Sequence, residues 1–539
     1  MEEVKTRDDT TIPKKVYNGI DLVATVSELR SKGIPRETPS LCPECRQIIT
    51  ATLFESDGAL MMKKECAEHG EYEDVIWSDI DMYRKAESFS FDGMGIENPA
   101  IEGATNCPFE CGMCNLHYTH TCLANVDLTN RCNLKCPICF ANANDAGYVF
   151  EPTYEQVCTM LKTLRDERPV PTHAVQFSGG EPTIHPDFFK ILAAARDMGF
   201  SQIQVATNGL KIAQESGFAA KAWESGLHTI YLQFDGLREE NYIQARGRPL
   251  LEIKKKVVEV IREMPRPRPS IVLVPTVAQG MNDDQVGAIL RYGLENRDVI
   301  RGVNFQPISL SGRVSVDERR KLRFTLSDLA QRMEDQVGWL AKDDWFPVPF
   351  VVPLSKFVSV IHEEPKVSFT THPGCGLASF IYIPDEGDPV PITRFVDVKG
   401  LMNDLWDLAV KVEQSKRAYF PKVRAYNILR RHFKKKSAPE NLSATSFAKG
   451  ISKIFDTGDK SGVADFAWKW FYVGGMHFMD MYNYDIERVK RCAIHYATPD
   501  GKIIPFCAYN TGPVYREEVE KKFSIPLEEW RKRHGSDGI

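Results

Sequence analysis

The sequence predicts an α/β protein: six strand–helix units winding a parallel sheet, with a small N-terminal metal ribbon and a C-terminal α+β module. Two observations lead there. Between Val126 and Ser311, strand-like runs alternate with helical patterns, as parallel strands joined by right-handed crossovers require. Ten of the 14 cysteines fall in three groups just before and inside that region. In a long chain whose start carries no secretion signal, such grouping points to metal ligation, not to a disulfide framework.

Composition narrows the class. At 43% hydrophobic and 26% charged residues, the 539-residue chain has the balance of a globular protein with room for several domains. A net charge of −5 offers no basic excess for nucleic acid. No apolar run reaches the roughly 18–20 residues of a membrane span. The stretch MEEVKTRDDTTIPKK lacks the apolar centre of a signal peptide, so the expected location is cytoplasmic. Motif breaks divide the chain into an arm (1–40), a metal-site and cluster region (41–125), the alternating region (126–311), a helical and irregular extension (312–440) and a C-terminal module (441–539).

In chain order, the arm carries one amphipathic helix pattern at Gly19–Ser31. Cys42 and Cys45 then form one knuckle, and Cys66 and His69 a second, with β-like runs between them. Four soft or borderline ligands suit tetrahedral zinc or a rubredoxin-like iron. Cys107, Cys111, Cys114 and Cys122 follow within one short block, enough thiolates for a closed [4Fe–4S] cluster. His117 and His120 in the same block read as ordinary loop histidines. The strand runs of the alternating region are ANVDLT, HAVQFS, IQVAT, TIYLQFD, IVLVPTV and GVNFQPI. Helical patterns cover Glu155–Asp166, Asp187–Met198, Ile212–Glu224, Leu250–Met264 and Asp283–Glu295.

The first strand runs into VDLTNRCNLKCPICF, which holds Cys132, Cys136 and Cys139 in a C-x3-C-x2-C spacing. Three thiolates leave one iron of a cubane open to a further ligand. The second strand runs into Gly179-Gly180-Glu181. Together these motifs resemble the radical SAM superfamily. The resemblance implies a (β/α)6 partial barrel, a [4Fe–4S] cluster on the three cysteines, and S-adenosylmethionine chelated at the open iron. It also implies that the Gly-Gly-Glu turn meets the methionine amino group, with Glu181 as acceptor. Chemistry in such barrels sits at the C-terminal ends of the strands. Asn208, Gln233 and Asp235 stand there too, the last two as candidate ribose contacts. One departure is Ile138, where the family has an aromatic residue before the last cysteine.

Past the alternating region, Arg319–Leu340, Asn403–Val412 and Val423–Lys436 read as helices, and Val348–Leu354 as an apolar, proline-punctuated loop. Cys375 sits in the turn THPGCG. The basic run Leu429–Lys436 fits either a solvated face or a membrane headgroup contact. An aromatic stripe, Trp468 to Tyr484, precedes a hairpin flanked by Cys492 and Cys507. With Cys375 these supply three thiolates for a further cluster, whose fourth ligand stays open among His372, His495 and Cys158.

These motifs in combination, from CPEC to RCAIHYATPDGKIIPFC, resemble the archaeal tetraether lipid synthase family. That resemblance implies three [4Fe–4S] clusters, one mononuclear iron, an external electron donor and a dialkyl glycerol phospholipid substrate met at the membrane surface. Its implied activity joins two chains by a C–C bond between unactivated methyl carbons. The alternative reading is a radical SAM methyltransferase acting on a reduced pterin, for which a compact polar pocket is expected.

Overall fold

The computed structural model describes residues 24–310, 319–414, 420–440, 442–457 and 469–534, plus two short strands near the N-terminus. Gly19 and Trp468 therefore lie outside the described residues, as does most of the arm. The helix expected at Gly19–Ser31 is confined to Leu29–Lys32, because Thr25–Val26 pairs as a strand with Phe91–Asp92. The ribbon comprises β1 (Arg36–Leu41), β2 (Ile48–Ser56), β3 (Ala59–Cys66) and β4 (Gly70–Trp77), antiparallel in chain order. Asp57 and Gly58 both take positive φ in the β2–β3 turn, the geometry a two-residue hairpin requires. Helix α1 (Ile80–Glu87) follows, capped by Asp79, whose side chain accepts from two backbone amides of its first turn.

The six expected strands form β5 (Leu123–Thr129), β6 (Ala174–Gly179), β7 (Gln202–Thr207), β8 (Thr229–Gln233), β9 (Ser270–Val274) and β10 (Ile300–Pro307), all parallel and neighbouring in sequence order. Near-continuous burial along β5 reflects cover on both faces. The crossovers carry α2 (Tyr154–Asp166), α3 (Phe188–Asp197), α4 (Leu210–Gln214), α5 (Phe218–Glu224), α6 (Glu239–Arg246), α7 (Leu251–Glu263) and α8 (Val286–Glu295). A capping box of Thr153 and Gln156 starts α2. The single helix expected over Ile212–Glu224 is two, broken where Gly217 adopts φ 76°. This is the radical SAM type of partial barrel.

The extension folds as α9 (Leu326–Val337), α10 (Val352–His362), β11 (Gly376–Tyr382), α11 (Val398–Gln414) and α12 (Pro421–Arg431). The expected loop Val348–Leu354 is instead a tight turn leading into α10, because Pro353 falls in the first turn of the helix, where a missing N–H costs nothing. Leu429 and Phe433 are buried, so the basic run carries an inward apolar edge.

The last hundred residues return to the main sheet. Strand β12 (Trp470–Met476) pairs parallel with β10, while β13 (Ile494–Ala497) pairs parallel with β5. Strand β14 (Ile503–Pro505) completes the expected hairpin, leading into α13 (Phe506–Asn510) and α14 (Tyr515–Lys522). The order is thus β11-β12-β10-β9-β8-β7-β6-β5-β13-β14, with only β11 and β14 of these antiparallel to their neighbours.

Buried charge fastens the ribbon to this sheet. Arg323 donates to Asp74 of β4 and to Asp480, each at 2.6 Å, with all three side chains nearly inaccessible. Removing one partner of such a group leaves buried charge uncompensated, at about 3–5 kcal/mol. Arg323→Leu is therefore expected to lower the thermal midpoint markedly and to speed proteolysis between ribbon and barrel, read by calorimetry and timed digestion.

Candidate active site

The site is built by two loops at the carboxyl ends of β5 and β6. Beyond β5 the chain turns through Cys132, Cys136 and Cys139. Asn144 holds that loop from within: its Oδ1 accepts from Cys132 N at 2.9 Å, and its Nδ2 donates to Cys132 O and Leu134 O at 2.8 and 3.1 Å. The sequence reading missed Asn144, whose only signal is its place in the turn-rich run Asn142–Gly147.

The Gly-Gly-Glu turn docks directly on the cysteine loop. Gly180 N donates to Thr129 O at 2.6 Å and Glu181 N to Arg131 O at 2.9 Å. A Cβ on Gly179 would lie 2.3 Å from Thr129 O, and one on Gly180 would lie 2.1 Å from Arg131 O. The glycines are thus required by backbone meeting backbone. Gly180→Ala is expected to displace the cysteine loop and cost the protein most of its cluster absorbance after reconstitution, measured beside total iron.

Glu181 lines the cavity wall, but its carboxylate is already engaged. Oε1 accepts from Thr183 N, Thr183 Oγ1 and Thr207 Oγ1 at 3.2, 2.5 and 2.7 Å, and Oε2 accepts from Asn208 N at 2.9 Å. Burial raises its pKa against these donors. Asn208 reaches across to Asn133 of the cysteine loop at 2.6 Å. Gln233 also lines the cavity, whereas Asp235 does not. Asp235 lies fully buried behind the wall, because β8 ends at Gln233 and the chain turns before the next inward position. There it grips Arg246 of α6 with both oxygens, at 2.7 and 2.8 Å. Arg246 does reach the cavity and lies beside Cys136. Lys254 of α7, fully buried, donates to Asn208 O at 2.5 Å and Gln233 Oε1 at 2.7 Å, and burial pulls its pKa down to about 7. Neither Arg246 nor Lys254 was legible in the sequence, because both ride on the outer helices.

One cavity of about 310 Å³ joins the cysteine loop, the Gly-Gly-Glu turn, Asn208, Gln233 and Arg246. Cys132, Cys136, Cys139, Ile138, Phe140 and the Gly-Gly-Glu turn form its upper end, and the barrel lumen forms its floor. The donor set fits an iron–sulfur cluster. Burial drives Cys132 and Cys136 toward the protonated thiol, a cost that a bound cation removes by holding the thiolate.

Among the described residues, Cys42, Cys45, Cys66 and His69 are the one group of three or more possible ligands whose ligand atoms all lie within 4.8 Å of one another. That closeness suits a single ion. The hydrogen bond with His69 pulls Cys66 down to about 6. No other set of three described cysteines is as close together. Cys111 lies against Cys107 with Cys114 close by. Cys122 instead points its thiol at Ser368 O, 3.3 Å away. Cys492 and Cys507 interact with each other and with Cys375, beside the buried Arg488. Cys107, Cys111, Cys492 and Cys507 all pack in one apolar cluster around Tyr484. His495 donates to or accepts from Thr121 and His117, both at 3.0 Å.

The radical SAM superfamily model matches residues 126–293, and a model described as the HMPTM N-terminal zinc ribbon domain matches residues 34–78. The 7,8-dihydro-6-hydroxymethylpterin dimethyltransferase of Methanocaldococcus jannaschii is 43% identical over 510 residues, covering 93% of this chain and 98% of that protein. The chain belongs to that dimethyltransferase's family. It is a radical SAM enzyme, and membership of the superfamily brings S-adenosylmethionine and a [4Fe–4S] cluster. The Fe-coproporphyrin III synthase of Methanosarcina barkeri is 36% identical over 115 residues, 21% of this chain and 27% of its own. The solved structure of Streptococcus suis SuiB bound to S-adenosylmethionine covers 41% of this chain and 47% of that one, at 19% identity and a TM-score of 0.30, too low to carry an argument.

Membership of the dimethyltransferase family corrects the lipid-joining expectation. The relative that spans the chain is named for a pterin, so neither the tetraether lipid synthase assignment nor the dialkyl glycerol phospholipid stands, and no membrane contact is seen. The physical reason is that the motifs behind that expectation are ligand sets. They specify metals and leave the substrate open. Among the described residues, no helix is long and apolar enough to cross a membrane.

Proposed function

We propose that this chain is a radical SAM methyltransferase acting on a reduced pterin. The observation that carries the reading is the 43% identity to a pterin dimethyltransferase along 93% of the chain, which takes in ribbon, barrel and C-terminal strands together. The cavity is consistent with it: a partly open cleft of about 310 Å³, more apolar than the polar pocket expected, brings polar groups such as Gln176, Gln204 and Gln233 beside the cysteine loop. When bound, the cluster and S-adenosylmethionine supply hydrogen-atom abstraction from carbon that no acid or base can activate. The chain's own residues do the rest. Cys132, Cys136 and Cys139 hold the cluster, Arg246 offsets its negative charge, and Asn208 and Gln233 shape the cofactor's side of the cavity. We assign two further clusters, one to Cys107, Cys111 and Cys114 and one to Cys375, Cys492 and Cys507, and a zinc ion to the ribbon quartet.

The test is incubation of reconstituted protein with reductant, S-adenosylmethionine bearing a deuterated methyl group, and 7,8-dihydro-6-hydroxymethylpterin. Mass spectrometry should show pterin products heavier by one and two methyl groups, with the label reporting their source. Formation of 5′-deoxyadenosine over an unchanged pterin would overturn the reading.

A further inference from the structure

The lumen below the cysteine loop carries a row of neutral amides with no part in the cluster site. Asn125 on β5, Gln176 on β6 and Gln204 on β7 are direct register partners. All three line the cavity. Gln204 Nε2 donates to Gln176 Oε1 at 2.8 Å, and Gln176 Nε2 donates to Asn125 Oδ1 at 2.7 Å. The bonds run in one direction, so the row ends in an amide carbonyl at Gln204 and an amide NH2 at Asn125. On β8, Tyr231, the register partner of Ala206, adds a hydroxyl to the same cavity and accepts from Asn304. No charged side chain stands among these residues. Asp127, two residues beyond Asn125 on β5, is occupied by Arg516 at 2.6 Å and Ser178 at 2.7 Å.

We propose that the Asn125–Gln176–Gln204 row reads the pyrimidinone edge of the substrate pterin, its 2-amino group, N3–H and 4-oxo group. The proposal rests on the pterin reading above. That edge is flat, uncharged and presents donors and acceptors side by side, as the row does. A carboxylate or phosphate ligand calls for cations, which the row lacks. An alkyl chain would cover the two ends of the row, the Gln204 carbonyl and the Asn125 NH2, without offering either a partner, at about 1–3 kcal/mol for each group. The hydrogen bonds within the row fix each amide before the ligand arrives, so little is lost in ordering them. The position also suits the chemistry. Gln204 of β7 lies four residues before Asn208, which directly follows that strand, about 13 Å at the rise of a β-strand. A bicyclic ring anchored by its pyrimidinone edge on the row therefore turns its far end, with the hydroxymethyl group, toward the cysteine loop.

The experiment measures anaerobic binding by fluorescence to the reconstituted protein. The probes are 7,8-dihydro-6-hydroxymethylpterin and its analogue with oxygen in place of the 2-amino group. Wild type should hold the pterin at least about tenfold tighter than the analogue, one missing hydrogen-bond partner in a buried site. Gln176→Met, close in volume, should weaken the pterin by about tenfold or more and shrink that preference toward one, with iron content unchanged. Equal losses for both ligands, or a preserved preference, would overturn the proposal and leave the pterin reading standing. Failure of wild type to bind either ligand would sink the pterin reading itself. Should Gln176→Met lose iron, Gln204→Met at the end of the row gives the same comparison.

Discussion

Replacing Cys136 by alanine is expected to reduce formation of 5′-deoxyadenosine to background and to remove about four irons per chain. The effect should be this large because the loop offers three thiols and no substitute. With two left, a cubane has no stable seat, and the cofactor chemistry has no source. Arg246 would lose its anionic neighbour at the same time. Iron analysis, the visible absorbance of the reconstituted protein and chromatography of the nucleoside product check the three consequences. Retention of four of these irons with loss of activity alone would show that a residue outside the loop completes the ligand set.

The second large effect is expected from Asp235→Ala. Asp235 is fully buried, and its bidentate pair with Arg246 is shielded from solvent. Its removal leaves a buried guanidinium beside the cavity, at about 3–5 kcal/mol. Asp235→Asn, which keeps the shape and one acceptor, should cost less. Thermal unfolding of apo protein gives the stability part. Affinity for S-adenosylmethionine in the reconstituted variants gives the part due to Arg246 leaving its place.

The barrel strands were legible because β-prone runs recur between helical patterns at the spacing of strand–helix units, whereas the break at Gly217 was not, since apolar periodicity continues across it. The ribbon quartet was legible from spacing alone, since a two-residue gap between ligands fits a single ion. Asp235 was misplaced for a physical reason. Alternation puts it on the same face as Gln233, but the strand ends between them, and alternation says nothing past a strand's end. Arg246, Lys254 and Asn144 act through contacts between separate elements, which no local pattern encodes. The substrate was the least legible. Asn125, Gln176 and Gln204 lie in three strands that each read as ordinary alternating sequence, and only the register between them makes a surface.

The two sheet edges closed by the C-terminal strands bear on how the protein is made. Ile494 of β13 pairs with Leu123 of β5, a contact that waits on synthesis of everything between. At about 5–20 residues per second, the ribosome leaves the nascent barrel open on that side for tens of seconds. Unpaired edges invite pairing with other chains, so the β5 edge is open to such pairing until β13 is made. The same interval leaves the cysteine loop open to whatever delivers iron and sulfide, before β13 and α13 cover the approach.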